Sequence, residues 1–356
     1  MALHIDPTAN RRPLPLVESP ELESLVAPIC AGLSPAYGYV AMGSSTVRIA
    51  LYSDSPHLRQ FFTSNWGGTY DANRHTSEAT IVALCGDSYT AASQLVPGAR
   101  FVDPSRRLIA SVGNEYYGNI KISVRGLCSS AARIEGYGGF LHGSALAIGD
   151  FGVVIGGASG AGKTTTTRAL FELLKGRVSV VNDDWGWADH EAQRLLFTGE
   201  PHLHMKYRSV RTIAPGLSIS PELHASENYD GDPENPHARL LVPRELVFDG
   251  AIANEAPFSA YVVLIRDHAA PFFVRPLGSA DVSLVEAAAY SAFYQRNERF
   301  FDGSLLLLNE DDIDGERRRF RRLLSQMPSI IINNVSAPVE TARAVWNHVE
   351  SLGSRA

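Results

Sequence analysis

With 356 residues and a formal net charge of −6, the chain lacks the Lys/Arg excess that a dominant nucleic-acid role requires, because phosphate neutralisation draws on basic side chains. Apolar residues at 45% and charged residues at 20% are those of a globular protein with a real core, and the length suits two folding units better than one. Cys30, Cys85 and Cys128 are scattered and odd in number, and no run approaches the ~18 apolar residues that cross a bilayer, so the expectation is a cytoplasmic protein without membrane contact.

Residues 1–24, rich in Pro, Arg and small polar residues, read as a flexible tail. "YGYVAMGSSTVRIALYS" from Tyr37 has the β-branched and aromatic content of a hairpin. "SPHLRQFFTSNWGG" reads as a helix capped by Ser55, with Pro56 in its first turn and Gly67-Gly68 at its end. "ATIVALCG" and "RRLIASVGNEYYGNIKISVRG" read as further strands, the second turning near Gly113-Asn114. Residues 25–125 are thus expected to form a small α+β domain without recognisable chemistry, followed by a second domain over 126–356.

The second domain opens with "LCSSAARIEGYGG" as a helix and continues with strands at "GFLHGSALAI" and "FGVVIGG". A helix from Thr164 to about Lys175, a strand at "VSVVNDD" and an extended loop over 214–237 follow. After a strand at "YVVLIRD", a helix is expected over about 282–297, its start supported by Ser283 and Glu286 in capping-box spacing. "GERRRFRRLLSQM" reads as an amphipathic helix burying Phe320, Leu323 and Leu324, with docking of an acidic partner as the sharper alternative. "SIIINNV" reads as a strand and "VETARAVWNHVESLG" as the terminal helix.

One stretch carries chemistry. Gly157, Gly162, Lys163 and Thr164 satisfy G-x-x-x-x-G-K-[ST] between an apolar strand and a helix, the context that a phosphate-cradling loop needs. Glycines let backbone N–H groups turn toward phosphate oxygens; Lys163 would meet the β- and γ-phosphates, and the Thr164 hydroxyl a magnesium ion. The helix that follows is short, so the next strand brings Asn182, Asp183 and Asp184 back beside the loop. Paired carboxylates suggest two tasks, metal holding and acceptance of a proton from an attacking hydroxyl. His142 lies on the strand before the loop strand and, taken alone, is better explained by packing.

Three segments together resemble the superfamily of HPr kinase/phosphorylase and ATP-dependent phosphoenolpyruvate carboxykinase. They are "LHGSALAIGDFGVVIGGASGAGKTTTT", similar to a His-Gly/Cys-Ser strand followed by a G-x-S-G-x-G-K-[ST] loop, "VVNDDWGWAD", similar to a paired-aspartate segment, and, more weakly, "NPHARLLVPRELV". The resemblance covers about residues 126–250. It implies a mixed-sheet α/β phosphate-loop kinase domain using ATP and Mg2+, with Gly157, Ser159, Gly160, Gly162, Lys163, Thr164 and Thr165 around the nucleotide. It further implies His142 near the metal and the transferring phosphate, Asp183 as base, Asp184 with Thr164 as metal ligands, and Arg239 on the γ-phosphate.

Asp-Asp-Glu-His-Gly-Trp of the carboxykinases is here Asp-Asp-Trp-Gly-Trp, and no segment matches their oxaloacetate site, which favours phosphoryl transfer to a hydroxyl, serine above all, over decarboxylation. The acceptor, a protein, peptide or small molecule, is undetermined, and a homo-oligomer is an option by analogy only. The alternatives are a nucleotide sensor that transfers nothing and a carboxykinase-like lyase. His202 and His204 alternate on a strand without a third ligand at a compelling spacing, and Trp185 and Trp187 read equally well as nucleotide cover or packing.

Overall fold

The computed structural model describes residues 16–18, 21–42, 45–68, 75–85, 99–103, 105–113, 117–134, 140–158, 160–183, 186–189, 192–196, 202–206, 209–210, 213, 239–290 and 310–354. The chain forms mixed α/β structure with two large mixed sheets.

The first sheet collects β1 (Leu16–Glu18), β2 (Ala36–Met42), β3 (Ser45–Ser53), β4 (His75–Leu84), β5 (Ala99–Asp103) and β6 (Leu108–Val112) in the order β1-β5-β6-β4-β3-β2. β2 and β3 make the expected hairpin. Helices α1 (Leu22–Gly32), α2 (Pro56–Trp66) and α3 (Tyr117–Ile134) accompany it. Ser55 Oγ accepts the Leu58 N–H at 3.2 Å, the cap expected from the sequence.

Two expectations fail in this part. Of the stretch read as a tail, residues 1–15 lie outside the described residues, but Leu16–Glu18 form β1, paired in parallel with β5, and Leu22 begins α1, whose Leu22 and Val26 are buried against β4, β5 and β6 residues. The second is "GNIKISVRG", which belongs to α3 and not to a strand: Ile120, Val124, Leu127 and Cys128 recur at helical spacing and bury against the first sheet's core. α3 runs unbroken through residues 125 and 126, where the sequence reading placed its boundary, and the change from first to second sheet comes after Ile134.

β7 (Phe140–Leu141) and β8 (Gly143–Ile148) follow, then β9 (Phe151–Gly157), α4 (Lys163–Leu173), β10 (Val178–Asn182), β11 (Gly186–Asp189), β12 (Arg194–Leu196) and β13 (His202–Lys206). After them come β14 (Arg239–Pro243), α5 (Arg244–Val247), β15 (Glu255–Pro257), β16 (Ala260–Ile265), β17 (Val274–Pro276), α6 (Val282–Tyr290), α7 (Glu310–Gln326), β18 (Ser329–Asn333) and α8 (Pro338–Gly353). The second large sheet has the order β10-β8-β9-β16-β18-β17, with β9, β16 and β18 parallel. A smaller antiparallel sheet, β15-β12-β11-β7, and the ribbon β13-β14 lie beside it.

The central strands are apolar at consecutive positions because both faces are covered. Val153, Ile155, Val262, Leu264, Ile330 and Ile332 join Leu170 and Phe171 of α4 and Ala342, Val345 and Val349 of α8. The alternate residues Val154, Tyr261, Val263 and Ile331 join Val285 of α6 and Phe320, Leu323 and Leu324 of α7 on the other face. Each such buried Val, Leu, Ile or Phe stabilises the fold by about 1.5–3 kcal/mol in transfer terms.

The start of α6 differs in detail from the expected capping box. Asp281 accepts the Gly278 N–H at 2.8 Å just before it, while Glu286 is held by Arg321 of α7 at 2.5 and 2.8 Å. Residues 291–297, the expected remainder of that helix, lie outside the described residues. Among the described residues no helix is long and apolar enough to cross a membrane.

Candidate functional site

The site forms where the parallel strands end. β9 delivers the chain into the glycine-rich turn, and α4 leaves it with Lys163 as its first helical residue and Thr164 as its second. A helix start carries unsatisfied N–H groups and a partial positive charge, both suited to an anion. Gly162 stands at φ +99°, a left-handed conformation that favours glycine. Lys163, 9% exposed, donates from Nζ to the carbonyls of Gly157 at 2.9 Å and Ala158 at 3.3 Å, which holds the ammonium against the turn.

The acidic corner comes from sheet register. β7 pairs with β11 through Leu141 and Gly186, and β8 pairs with β10 through Ala145 and Asn182. The β8–β10 register shifts by one residue between Val180 and Asn182, and from Asn182 on it matches that of β7 on β11, which carries Ser144 toward Asp183. Ser144, fully buried, donates its hydroxyl to Asp183 Oδ1, and Thr164 donates Oγ1 to Asp183 Oδ2 at 2.8 Å. The two oxygens of one carboxylate thus tie β8 to the first turn of α4. Hydrogen bonds of this kind favour the charged carboxylate.

His142 is buried between β7 and β8, two residues before Ser144. Arg239 opens β14 opposite Lys206 of β13. That ribbon continues into Arg244, whose buried guanidinium donates from Nη1 to the Val181 carbonyl at 2.8 Å, bracing β10 just before Asn182 and Asp183. Burial lowers the Arg244 pKa, and the neighbouring Glu245 opposes that shift.

Behind the loop, Asn334 donates from Nδ2 to the Ala161 carbonyl at 2.6 Å, and Arg266 donates from Nη1 to the Gly160 carbonyl at 3.2 Å. Of the residues expected at the site, Gly157, Gly160, Gly162, Lys163, Thr164, Thr165 and Asp183 are gathered at one strand–turn–helix and its neighbouring strand end. Ser159, Asp184, Trp185 and the loop 214–237 lie outside the described residues. Trp187 packs: it is buried in the core cluster of the first sheet.

Reading the sequence missed Ser144, Arg244, Arg266 and Asn334. Ser144 alone had a signal, the strand alternation that puts it in step with His142. Among the described residues no group of three or more His, Cys, Asp or Glu side chains is placed to hold a metal. The Thr164 hydroxyl and the Asp183 carboxylate are nonetheless hard oxygen donors of the kind magnesium takes, one or two protein groups completed by water and phosphate oxygens.

No family model matches the chain, and no curated protein does. Among solved structures, it is similar to the HPr(Ser) kinase/phosphatase from Coxiella burnetii, with a TM-score of 0.31 and 14% sequence identity, over 60% of this chain and 99% of that one. A likeness this slight carries no chemistry, so the functional argument rests on the residues.

Proposed function

We propose that the protein is an ATP-dependent phosphotransferase that moves the γ-phosphoryl group to a hydroxyl, serine-type acceptors first among them. The observation that carries this reading is the Asp183 carboxylate, hydrogen-bonded to Thr164 at the start of the helix that Lys163 opens. An acid in that place can hold Mg2+ in any nucleotide-binding loop, so what separates transfer from mere binding is its second task, taking the proton of an attacking hydroxyl. The sequence resemblance points the same way.

In this reading, the turn's N–H groups and Lys163 hold the β- and γ-phosphates. Thr164 with Asp183 or Asp184 would hold Mg2+, which would supply charge neutralisation at the phosphate oxygens. The acceptor oxygen forms its bond to the γ-phosphorus as the bond to the β–γ bridging oxygen breaks, and ADP leaves with that electron pair. The hydroxyl proton passes to the Asp183 carboxylate, which the Ser144 and Thr164 hydroxyls hold in place. Arg239 and His142 serve the transferring phosphate by analogy with the resembled superfamily. Positioning and electrostatics supply most of the rate in such transfers, so loss of Lys163 costs orders of magnitude in turnover while the fold stands.

The test is incubation of the protein with γ-labelled Mg-ATP and a cell lysate split into macromolecular and small-molecule fractions, beside Lys163→Ala and Asp183→Asn. Label that depends on both residues supports the reading and shows which fraction holds the acceptor. Transfer undiminished in either variant overturns it.

A further inference from the structure

The polar contacts behind the loop have a direction that bears on ligand binding. Asn334 follows β18 at the carboxyl ends of the parallel strands, its own N–H bonded to the Ile265 carbonyl at 2.9 Å. Its side chain is buried between two partners: Nδ2 donates to the Ala161 carbonyl at 2.6 Å, and Oδ1 accepts the hydroxyl of buried Thr341, from the first turn of α8, at 2.7 Å. The Ala161 carbonyl can only accept, so the amide nitrogen must face it, and the Thr341 hydroxyl, donating to Oδ1, holds the other end of the amide in place.

In a trans peptide the carbonyl of one residue and the N–H of the next point in opposite directions. Holding the Ala161 carbonyl against Asn334 therefore turns the Gly162 N–H away from Asn334, toward the front of the turn where Lys163 begins the helix. The preceding peptide is set as well, with the Gly160 carbonyl on Arg266 at 3.2 Å and the Ala161 N–H on the Ala158 carbonyl at 3.1 Å. Arg266 is also bonded from Nε to the Asn334 carbonyl at 3.3 Å, so both carbonyls behind the turn meet one polar cluster.

We propose that Asn334, oriented by Thr341, is a positioning residue that presents the Gly162 N–H to the nucleotide's phosphates. This rests on the nucleotide reading of the loop and adds to it a determinant 173 residues away in sequence. The C-terminal helix thereby enters the binding site without touching the ligand.

The experiment measures Mg-ATP affinity by titration calorimetry, and thermal unfolding without nucleotide, for the full-length protein, Thr341→Val, Thr341→Ser and Asn334→Ala. Valine keeps the volume and removes the hydroxyl; serine keeps the hydroxyl and removes a buried methyl. The expected result is a roughly tenfold rise in Kd for Thr341→Val and Asn334→Ala, and near-parental affinity for Thr341→Ser despite its lower melting temperature.

A merely structural contact would instead make affinity follow stability, with Thr341→Ser no better than Thr341→Val, and that outcome overturns the proposal. If Thr341→Val fails to fold, Asn334→Ala decides alone: folded protein with unchanged Kd overturns the proposal. Absence of Mg-ATP binding by the parent protein refutes the nucleotide reading and the proposal with it, whereas parental binding with unaffected variants refutes the positioning role only.

Discussion

Gly162→Ala tests the loop geometry most directly. A Cβ at residue 162 would lie 2.4 Å from Asn334 Nδ2, and the backbone there has φ +99°. The left-handed conformation costs an alanine about 1–2 kcal/mol. Relief of the clash displaces the Asn334 amide from the Ala161 carbonyl and the Thr341 hydroxyl, and leaving such buried groups unsatisfied costs about 1–3 kcal/mol more. The sum is about 2–5 kcal/mol.

Gly149 provides the control: it also has positive φ, +57°, but a Cβ there meets nothing within 4 Å. Gly149→Ala should therefore lose only the conformational part, about 1–2 kcal/mol. Urea unfolding of both variants, compared at equal slope, isolates the difference of about 1–3 kcal/mol that belongs to Asn334. Asn334→Ala in the Gly162→Ala background should recover part of it, since the clash is gone. If Gly162→Ala is no more destabilised than Gly149→Ala, the packing of Asn334 behind the turn is wrong, and the argument about the Gly162 N–H falls with it.

Other outcomes follow from the same contacts. Ser144→Ala removes one donor from the Asp183 carboxylate, and a hydrogen bond to a charged group is worth about 1.5–3 kcal/mol, so label transfer should slow at least ~10-fold while Mg-ATP affinity stays within about twofold; an unchanged rate would refute a role for Ser144 in holding Asp183. The Tyr261 hydroxyl is fully buried, has no hydrogen-bond partner among the described residues, and has its pKa pushed up by that burial. Tyr261→Phe should therefore raise stability by about 1 kcal/mol, seen as a higher urea midpoint, and a lower midpoint would reveal a hidden partner. Asp281 is held well below its ordinary 3.8, to about 2, first by the Arg275 guanidinium and then by the Gly278 N–H. A folded-state pKa below the unfolded one contributes stability that is present above about pH 4 and lost as pH falls toward about 2. An NMR titration of the Asp281 carboxyl should show that low midpoint, and a midpoint near 4 would contradict the pairing.

What could be read from the sequence is what neighbours along the chain decide. The glycine-rich turn between an apolar strand and a helix, the Ser55 cap and the consecutive apolar residues of β9, β16 and β18 all rest on patterns within a few residues. The same local reasoning misjudged "GNIKISVRG", because β-branched alternation and a four-residue helical spacing coexist there, and contact with the first sheet chose the helix. That Lys163, Thr164 and Asp183 come together was legible because the short helix between them limits where the chain can return.

Tertiary structure alone decided how those residues are held. Ser144 meets Asp183 across 39 residues through the register of β8 on β10, Arg244 braces Val181 across 63, and Asn334 reaches Ala161 across 173. Side-chain period marks a strand or a helix but carries no record of which strand lies beside which. The hydrogen-bonding partners of a serine, an arginine or an asparagine are therefore set only when the sheets pair and the helices cover them.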